Sequence, residues 1–122
     1  MKRALVFQHM DHDHPGRFLD FLAEDGLVIE PIRLFDGEDV PSLAPYDFLF
    51  VLGGKQDCWE EHIYPWLAAE KQAIREWVVE RAKPYFGVCL GHQLLAAATG
   101  GEVLPAAEKE VGICTMELTE TG

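Results

Sequence analysis

The segment from Tyr85 to Gly101 constrains the fold of this chain more than any other. It begins with a short apolar run, Tyr85 to Val88, which has the length and composition of a strand. It passes without a spacer into Leu90 to Thr99, which is rich in the strong helix formers Leu and Ala. Cys89 lies at the junction. The segment therefore predicts a strand, a sharp turn that carries a cysteine, and a helix.

Glycines on both sides of Cys89 favour a reactive cysteine over an ordinary buried one at a strand end. Gly87 and Gly91 lie two residues before and after it, which is the G-x-nucleophile-x-G spacing of a nucleophile elbow. Strand and helix come close at such a turn, and glycine removes the side chains that would collide. A helix N-terminus also favours thiolate over thiol. The N–H of Leu90 is expected to receive an oxyanion.

The rest of the chain predicts a parallel sheet with helices on both faces, because apolar runs of strand length alternate with helical periodicity. Pro31 places the second strand towards an edge, since proline cannot donate a ladder hydrogen bond. The predicted strands are Ala4–Gln8, Leu27–Leu34, Asp47–Leu52, Tyr85–Val88, Glu102–Pro105 and Gly112–Thr119, and the predicted helices run over about Arg17–Glu24, Tyr64–Ala82 and Leu90–Thr99. The sequence thus indicates one α/β domain.

Loops that follow the strands are expected to form the site, because ligands of open parallel sheets bind at the carboxyl ends of the strands. Three segments meet there: the loop after the first strand, the Gly53-Gly54 pair and the turn at Cys89. The glycine pair ends the strand that we expect beside the elbow strand. Its N–H groups can approach a substrate carbonyl closely and are predicted to supply a second oxyanion donor. The alternative is a plain Gly-Gly turn.

A cluster of histidines and aspartates follows the first strand: His9, Asp11, His12, Asp13 and His14. It predicts either a metal or substrate ligand set, or a solvated polar loop. The solvated loop is favoured, because so many candidates in adjacent positions cannot all reach one ion, and no metal or cofactor is assigned. His92, one helical turn after Cys89, is predicted to pack or hydrogen-bond rather than to take the thiol proton.

Composition argues against several classes of binding partner and indicates a cellular location. Twenty-one acidic against ten basic residues give a formal charge of −11, which repels phosphate backbones and anionic lipids, so neither nucleic acid nor a membrane is an expected partner. The sequence has no apolar run of membrane-spanning length and no signal-peptide profile, and a cytoplasmic location is predicted. The three cysteines lack a C-x-x-C pair, which favours reduced thiols, with Cys58 and Cys114 as small apolar fillers.

The stretch FGVCLGHQLLAAATGG, together with VLGG after the third strand and EVG at Glu110–Gly112, resembles the class I glutamine amidotransferases. The similarity is greatest to the branch that includes the amidotransferase part of GMP synthase, and it extends through nearly the whole chain from Ala4. The G-[IV]-C-x-G-x-Q pattern of the elbow is highly specific to that family. The resemblance implies a flavodoxin-like, three-layer α/β fold with an open parallel sheet, and glutamine as the substrate.

By this resemblance, Cys89 attacks the side-chain amide of glutamine, forms a glutamyl thioester and releases ammonia to an acceptor on a partner synthetase or fused domain. The N–H of Leu90 and the backbone of Gly54, with Gly53, hold the tetrahedral oxyanion. Gln93 matches the family position that contacts the bound glutamine. The ammonia acceptor is left open, and hydrolysis of a γ-glutamyl amide of a small molecule is equally compatible with these residues.

The family's general base has no match in these 122 residues. It is a histidine followed two residues later by a glutamate, in a motif like H-P-E well downstream of the elbow, and none of the five histidines stands in such a motif. We therefore expect residues 1–122 to be an incomplete, N-terminal part of an amidotransferase domain whose C-terminal part is missing, with poor or no glutamine hydrolysis alone. Lys55 also departs from the family pattern, which usually has proline after the glycine pair.

Two other interpretations compete with an amidotransferase. PfpI-like elbow-cysteine proteins typically carry a glutamate near the end of an early strand that pairs with the cysteine, whereas the first strand here ends in Gln8-His9. A noncatalytic binding or regulatory module would keep the elbow only as a structural turn. Labelling of Cys89 by a glutamine analogue distinguishes that module from an enzyme.

Overall fold

A computed structural model describes residues 2–108 and 110–122 and shows a four-stranded parallel sheet. The elements are β1 (Lys2–Gln8), α1 (Phe18–Glu24), β2 (Leu27–Arg33), β3 (Phe48–Val51), α2 (Trp66–Arg75), β4 (Tyr85–Gly87) and α3 (Leu90–Ala98). A 3-10 turn, Leu34–Asp36, follows β2, and α2 continues through a π-helical turn, Glu76–Glu80. In these described ranges, no helix is long and apolar enough to cross a membrane.

The strand order is β2-β1-β3-β4, and every pairing is parallel. β1 is central and is buried from Ala4 to Gln8, which explains its continuous apolar sequence. β2 lies at an edge of the sheet, and the position of Pro31 predicted this. β3 pairs with β4, so the prediction that the Gly53-Gly54 strand lies beside the cysteine strand is confirmed.

Helices pack on both faces of the sheet, so that the domain has three layers: helix, sheet and helix. Leu49 and Val51 of β3 pack in one core cluster with residues of α2 and α3, such as Ile74 and Leu94. Phe50 packs in the cluster of the opposite face, where Leu22 of α1 contributes. Because successive strand residues point to opposite faces, a single strand serves both cores. The predicted open-sheet, flavodoxin-like α/β fold is confirmed.

Two glycines let the start of α3 approach the sheet closely. A Cβ atom built on Gly91 would lie 2.9 Å from the carbonyl carbon of Val51 and closer still to its oxygen. A Cβ atom on Gly87 would lie 2.7 Å from the carbonyl carbon of Gly91. Both contacts are with backbone, which cannot move aside as a flexible side chain can. The backbone of α3 therefore rests directly on β3 and β4, and this fixes where the turn between β4 and α3 lies.

The prediction of strands at Glu102–Pro105 and Gly112–Thr119 is wrong, because both segments lack regular secondary structure. A strand is stabilised by pairing with a neighbour. In the described residues that follow Gly101, the backbone hydrogen bond found is a local one, from the N–H of Gly122 to the carbonyl of Thr119. The hydrophobic pattern of these two segments was not sufficient to form strands without a neighbouring strand to pair with. Cys114 is consequently exposed, which contradicts its predicted role as an apolar filler.

Candidate active site

Cys89 occupies a strained turn between β4 and α3. Its backbone angles are φ 52° and ψ −105°, a region that L-residues with side chains rarely adopt. The N–H of Val88 donates to the carbonyl of Val51 at 3.0 Å, and the N–H of Gln93 donates to the carbonyl of Cys89 at 3.1 Å. The turn is thus held on both sides, by the sheet before it and by the helix after it. The side chain of Cys89 is exposed.

The Gly53-Gly54 pair lies against this turn. A Cβ atom built on Gly53 would lie 3.5 Å from the Cβ atom of Cys89, and one on Gly54 would lie 3.1 Å from Cδ2 of Leu90. Within residues 2–108 and 110–122, the N–H groups of Gly54 and Leu90 donate no hydrogen bond. Unpaired backbone N–H groups beside a thiol can together bind a small negatively charged oxygen.

A cavity of about 390 Å³ opens beside Cys89. Its walls come from the loops that follow three different parallel strands, as the sequence predicted for this edge of the sheet. The lining residues are Asp13, His14, Pro15, Phe18, Phe50, Leu52, Gly53, Gly54, Val88 and Cys89. The aromatic rings give one apolar wall, while Asp13 and His14 add polar groups. The cavity can therefore hold a small molecule with its reacting atom near the thiol.

His9 is not part of a solvated loop, so that interpretation of the cluster after β1 is wrong for this residue. It is 1% exposed, and its ring stacks on Trp66 at a centroid distance of 5.7 Å. Nδ1 lies 3.1 Å from the carbonyl oxygen of Gly53, and Nε2 lies 2.5 Å from Oε1 of Glu70. Across the part of the chain that the structure describes, no three His, Cys, Asp or Glu side chains are grouped to hold a metal ion.

Glu70 is the residue of this site that the sequence reasoning missed. Its side chain is fully buried in α2, and burial raises its pKa while the hydrogen bond from His9 opposes that rise. Burial lowers the pKa of His9, but Glu70 and the carbonyl of Gly53 outweigh it and leave that pKa raised. Glu70 shares the apolar face of α2 with Leu67 and Ile74, and a carboxylate at such a position was the available signal.

The His9–Glu70 pair is expected to make stability fall as the pH rises above about 6.5, the ordinary pKa of histidine. Because the pKa of His9 is raised in the folded state, the contribution of His9 to stability is complete below that pH and is lost as the pH passes the folded pKa. The raised pKa of Glu70 acts in the same direction, from about pH 4.5 upward. The expected decline is at most about 1.4 kcal/mol per pH unit. Urea unfolding from pH 6 to 9 measures it, with Glu70→Gln as the control that lacks the slope. Parallel curves for both proteins contradict the assignment.

The other predicted residues have the following positions. Gln93 lies on α3, one turn after Cys89, and is half-buried. His92 is exposed, so the packing role predicted for it is wrong. Cys58 is buried, as predicted for an apolar filler. His14 lines the cavity beside Cys89, and its Nδ1 accepts a hydrogen bond from the N–H of Gly16 at 3.0 Å.

Comparison with known proteins assigns the family. The fold and site define an α/β protein with an exposed cysteine at the carboxyl edge of a parallel sheet. The model of the class-I glutamine amidotransferase family matches residues 29–122, and the chain belongs to that family. The resemblance stated from the sequence is therefore confirmed.

Individual relatives agree with this family. The chain is 35% identical to the putative glutamine amidotransferase-like protein YfeJ of Salmonella typhimurium, over 93% of this chain and 49% of the relative. It is 29% identical to one subunit of the glutamine-hydrolysing GMP synthase of Sulfurisphaera tokodaii, over 98% of this chain and 58% of the relative. A crystal structure of a glutamine amidotransferase from Methylobacillus flagellatus superposes with a TM-score of 0.84 at 31% identity, over 92% of this chain and 44% of that one. The chain thus spans about half the length of these relatives.

Proposed function

We propose that the protein hydrolyses the side-chain amide of glutamine through Cys89 and passes the ammonia to an acceptor. The observation that carries this proposal is the position of Cys89. Its exposed thiol lies on a strained strand-to-helix turn, next to the unpaired N–H of Leu90 and against the Gly53-Gly54 pair. Strain of this kind persists where the surrounding structure enforces it, and it concentrates at functional sites.

The chemistry follows from that position. The thiolate sulfur of Cys89 attacks the amide carbon of glutamine, and the carbonyl π-electrons move to oxygen. When the tetrahedral intermediate collapses, the C–N bond breaks, and the nitrogen leaves as ammonia after it takes a proton. The product is a glutamyl thioester on Cys89. Water then attacks the thioester carbon, and glutamate and the free thiol are released.

The oxyanion of each tetrahedral intermediate is assigned to the N–H groups of Leu90 and Gly54, with Gly53 completing the loop. The N–H of Leu90 points along the axis of α3 at its N-terminus, where the helix dipole adds partial positive charge. The N–H of Gly54 comes from the adjacent loop. Removal of one donor of this kind costs about 10²–10³ in kcat in a well-studied hydrolase. These two groups are therefore expected to supply a large share of the catalysis.

Glutamine is proposed to occupy the cavity beside Cys89, with Gln93 as a contact for the bound substrate. Support comes from the cavity walls, which combine the apolar side of Phe18 and Phe50 with the polar groups of Asp13. The side chain of glutamine likewise has an apolar part, its methylene groups, and a polar part, its amide. The amide end then faces the thiol and the two donor groups.

The general base is proposed to be a His-x-Glu pair outside these 122 residues, which form one part of a longer amidotransferase domain. The lengths of the relatives support this, since they are about twice as long as the chain. The acceptor of ammonia is proposed to be a partner synthetase or a fused domain. One relative belongs to a GMP synthase, and its name describes that enzyme as glutamine-hydrolysing.

A glutamine analogue with an alkylating group in place of the side-chain amide is expected to label Cys89 in the intact, folded protein. The analogue binds as glutamine does, so that its electrophilic carbon lies next to the thiol. Peptide mass spectrometry after the reaction measures the adduct, and excess glutamine is expected to protect Cys89. Cys114 is the internal control, because it is exposed but lies outside the cavity. No adduct at Cys89 under these conditions favours the noncatalytic binding module.

A further inference from the structure

A buried chain of hydrogen bonds reaches the Gly53-Gly54 loop from the core. Oε1 of Glu70 lies 2.5 Å from Nε2 of His9, and Nδ1 of His9 lies 3.1 Å from the carbonyl oxygen of Gly53. His9 is 1% exposed and Glu70 is 0% exposed, so water does not compete for these bonds. Neither residue lines the cavity beside Cys89. These hydrogen bonds therefore hold the Gly53-Gly54 loop from its core side, and neither His9 nor Glu70 contacts a bound substrate.

The partners of His9 determine which ring nitrogen carries a proton. A carbonyl oxygen can only accept, so Nδ1 of His9 must be the donor to Gly53. Nε2 then shares a single proton with the carboxyl group of Glu70, either as imidazolium with carboxylate or as imidazole with carboxylic acid. In both forms the Nδ1–H remains. Glu70 thus keeps the ring in the state that can hold the carbonyl of Gly53.

The carbonyl of Gly53 and the N–H of Gly54 belong to the same peptide group. A trans peptide is planar, and its C=O and N–H point in opposite directions. When His9 holds the oxygen on the core side, the N–H of Gly54 must point away from the core. Two consecutive glycines would otherwise let this peptide rotate at little cost, because glycine tolerates both signs of φ.

A second contact fixes the same loop. Nε2 of Gln56 donates to the carbonyl of His9 at 3.0 Å, and a Cβ atom on Gly54 would lie 2.9 Å from Cβ of His9. The loop after β3 is therefore packed directly on the end of β1. Two charged or titratable groups also interact electrostatically with Glu70. They are Lys71 on the same helix and Tyr85, whose hydroxyl donates to the carbonyl of Gly91 at 2.7 Å.

We propose that the His9–Glu70 pair is a positioning device that prevents rotation of the Gly53-Gly54 peptide and so keeps the Gly54 N–H directed at the oxyanion. This role rests on the proposed function of Gly54 as an oxyanion donor. His9 and Glu70 are positioning residues, since each acts through the peptide group and not on the substrate. Loss of the pair is expected to lower kcat with little change in KM, because the contact is needed in the transition state.

The test compares two substitutions of His9 in the intact protein, both in a Glu70→Gln background that leaves no buried carboxylate unpaired. His9→Asn places an amide N–H near the former Nδ1, whereas His9→Leu has similar size and no donor. The leucine variant is expected to lose about 30-fold or more in kcat relative to the asparagine variant, with KM within about threefold. The asparagine variant and Glu70→Gln alone are expected to stay within about threefold of each other.

Alkylation of Cys89 by iodoacetamide is the readout that separates positioning from general loosening, because this reaction uses no oxyanion site. Its rate is expected to be equal in both His9 variants. Equal kcat values for the two variants overturn the proposal. So does a leucine variant in which alkylation and KM change as much as kcat.

One measurement needs neither a variant nor turnover. Nitrogen-15 spectroscopy of the histidine rings in the unsubstituted protein at about pH 6, where the His9–Glu70 pair holds its shared proton, is expected to show that Nδ1 of His9 is protonated and protected from exchange. A deprotonated Nδ1 overturns the proposal. If the unsubstituted protein does not hydrolyse glutamine, the proposed function fails, while this spectrum still decides whether His9 holds the loop.

Discussion

Replacement of Cys89 by alanine in the intact protein is expected to lower kcat for glutamine hydrolysis by about 10⁴-fold or more. Without sulfur, the glutamyl thioester cannot form, and the two oxyanion donors act only on the slow direct attack of water. Release of glutamate measures the rate. The fold is expected to persist, because Cys89 is exposed and, among the described residues, its thiol is free of any disulfide. Activity within tenfold of the unsubstituted protein contradicts a role for Cys89 as nucleophile.

Two control variants show whether the loss of activity is specific to Cys89. Cys114→Ala removes another exposed thiol, and it is expected to leave the activity unchanged. His14→Gln tests a histidine that lines the cavity with Cys89. If the general base lies outside these 122 residues, this variant retains most of its kcat. If kcat falls as far as in Cys89→Ala, the base lies within this chain at His14.

The local elements of the fold could be predicted from the sequence because each has its own pattern. The apolar run of β1 is continuous since both faces of a central parallel strand are buried. Gly87 and Gly91 predicted the strand-to-helix turn, since close approach of backbones requires glycine. The position of Pro31 predicted the edge of the sheet. In each case the cause of the structure lies within a few residues of the pattern.

Features that depend on distant partners could not be predicted in this way. His9 and Glu70 are 61 positions apart, and nothing near His9 shows that a carboxyl group of α2 will meet it. The polar neighbours of His9 favoured a solvated loop instead. The alternation in Gly112–Thr119 predicted a strand, but a strand also needs a neighbour with which to pair, and the described residues provide none there.

Gly91→Ala is expected to destabilise the protein by about 3 kcal/mol or more, and to displace Cys89 as well. The new methyl group would lie 2.9 Å from the carbonyl carbon of Val51, and the obstacle is a backbone group at the carboxyl end of an interior strand. Relief requires that α3 move away from β3. That movement also breaks the close contact between Gly87 and Gly91, and it shifts the N-terminus of α3 on which the N–H of Leu90 depends.

Gly37→Ala is the matched control, because it isolates the cost of strain from the cost of a clash. Gly37 has a φ of 87°, and a Cβ atom there would meet no atom within 4 Å. Its substitution is expected to cost only about 1–2 kcal/mol, the usual penalty of a side chain in the left-handed region. Gly91 has no such φ, so any larger loss at that position comes from contact with β3. Urea unfolding of both variants gives the two free energies, and Cys89 labelling by the glutamine analogue reports the site. If Gly91→Ala costs no more than Gly37→Ala and labels at the normal rate, the start of α3 does not rest on the sheet as described.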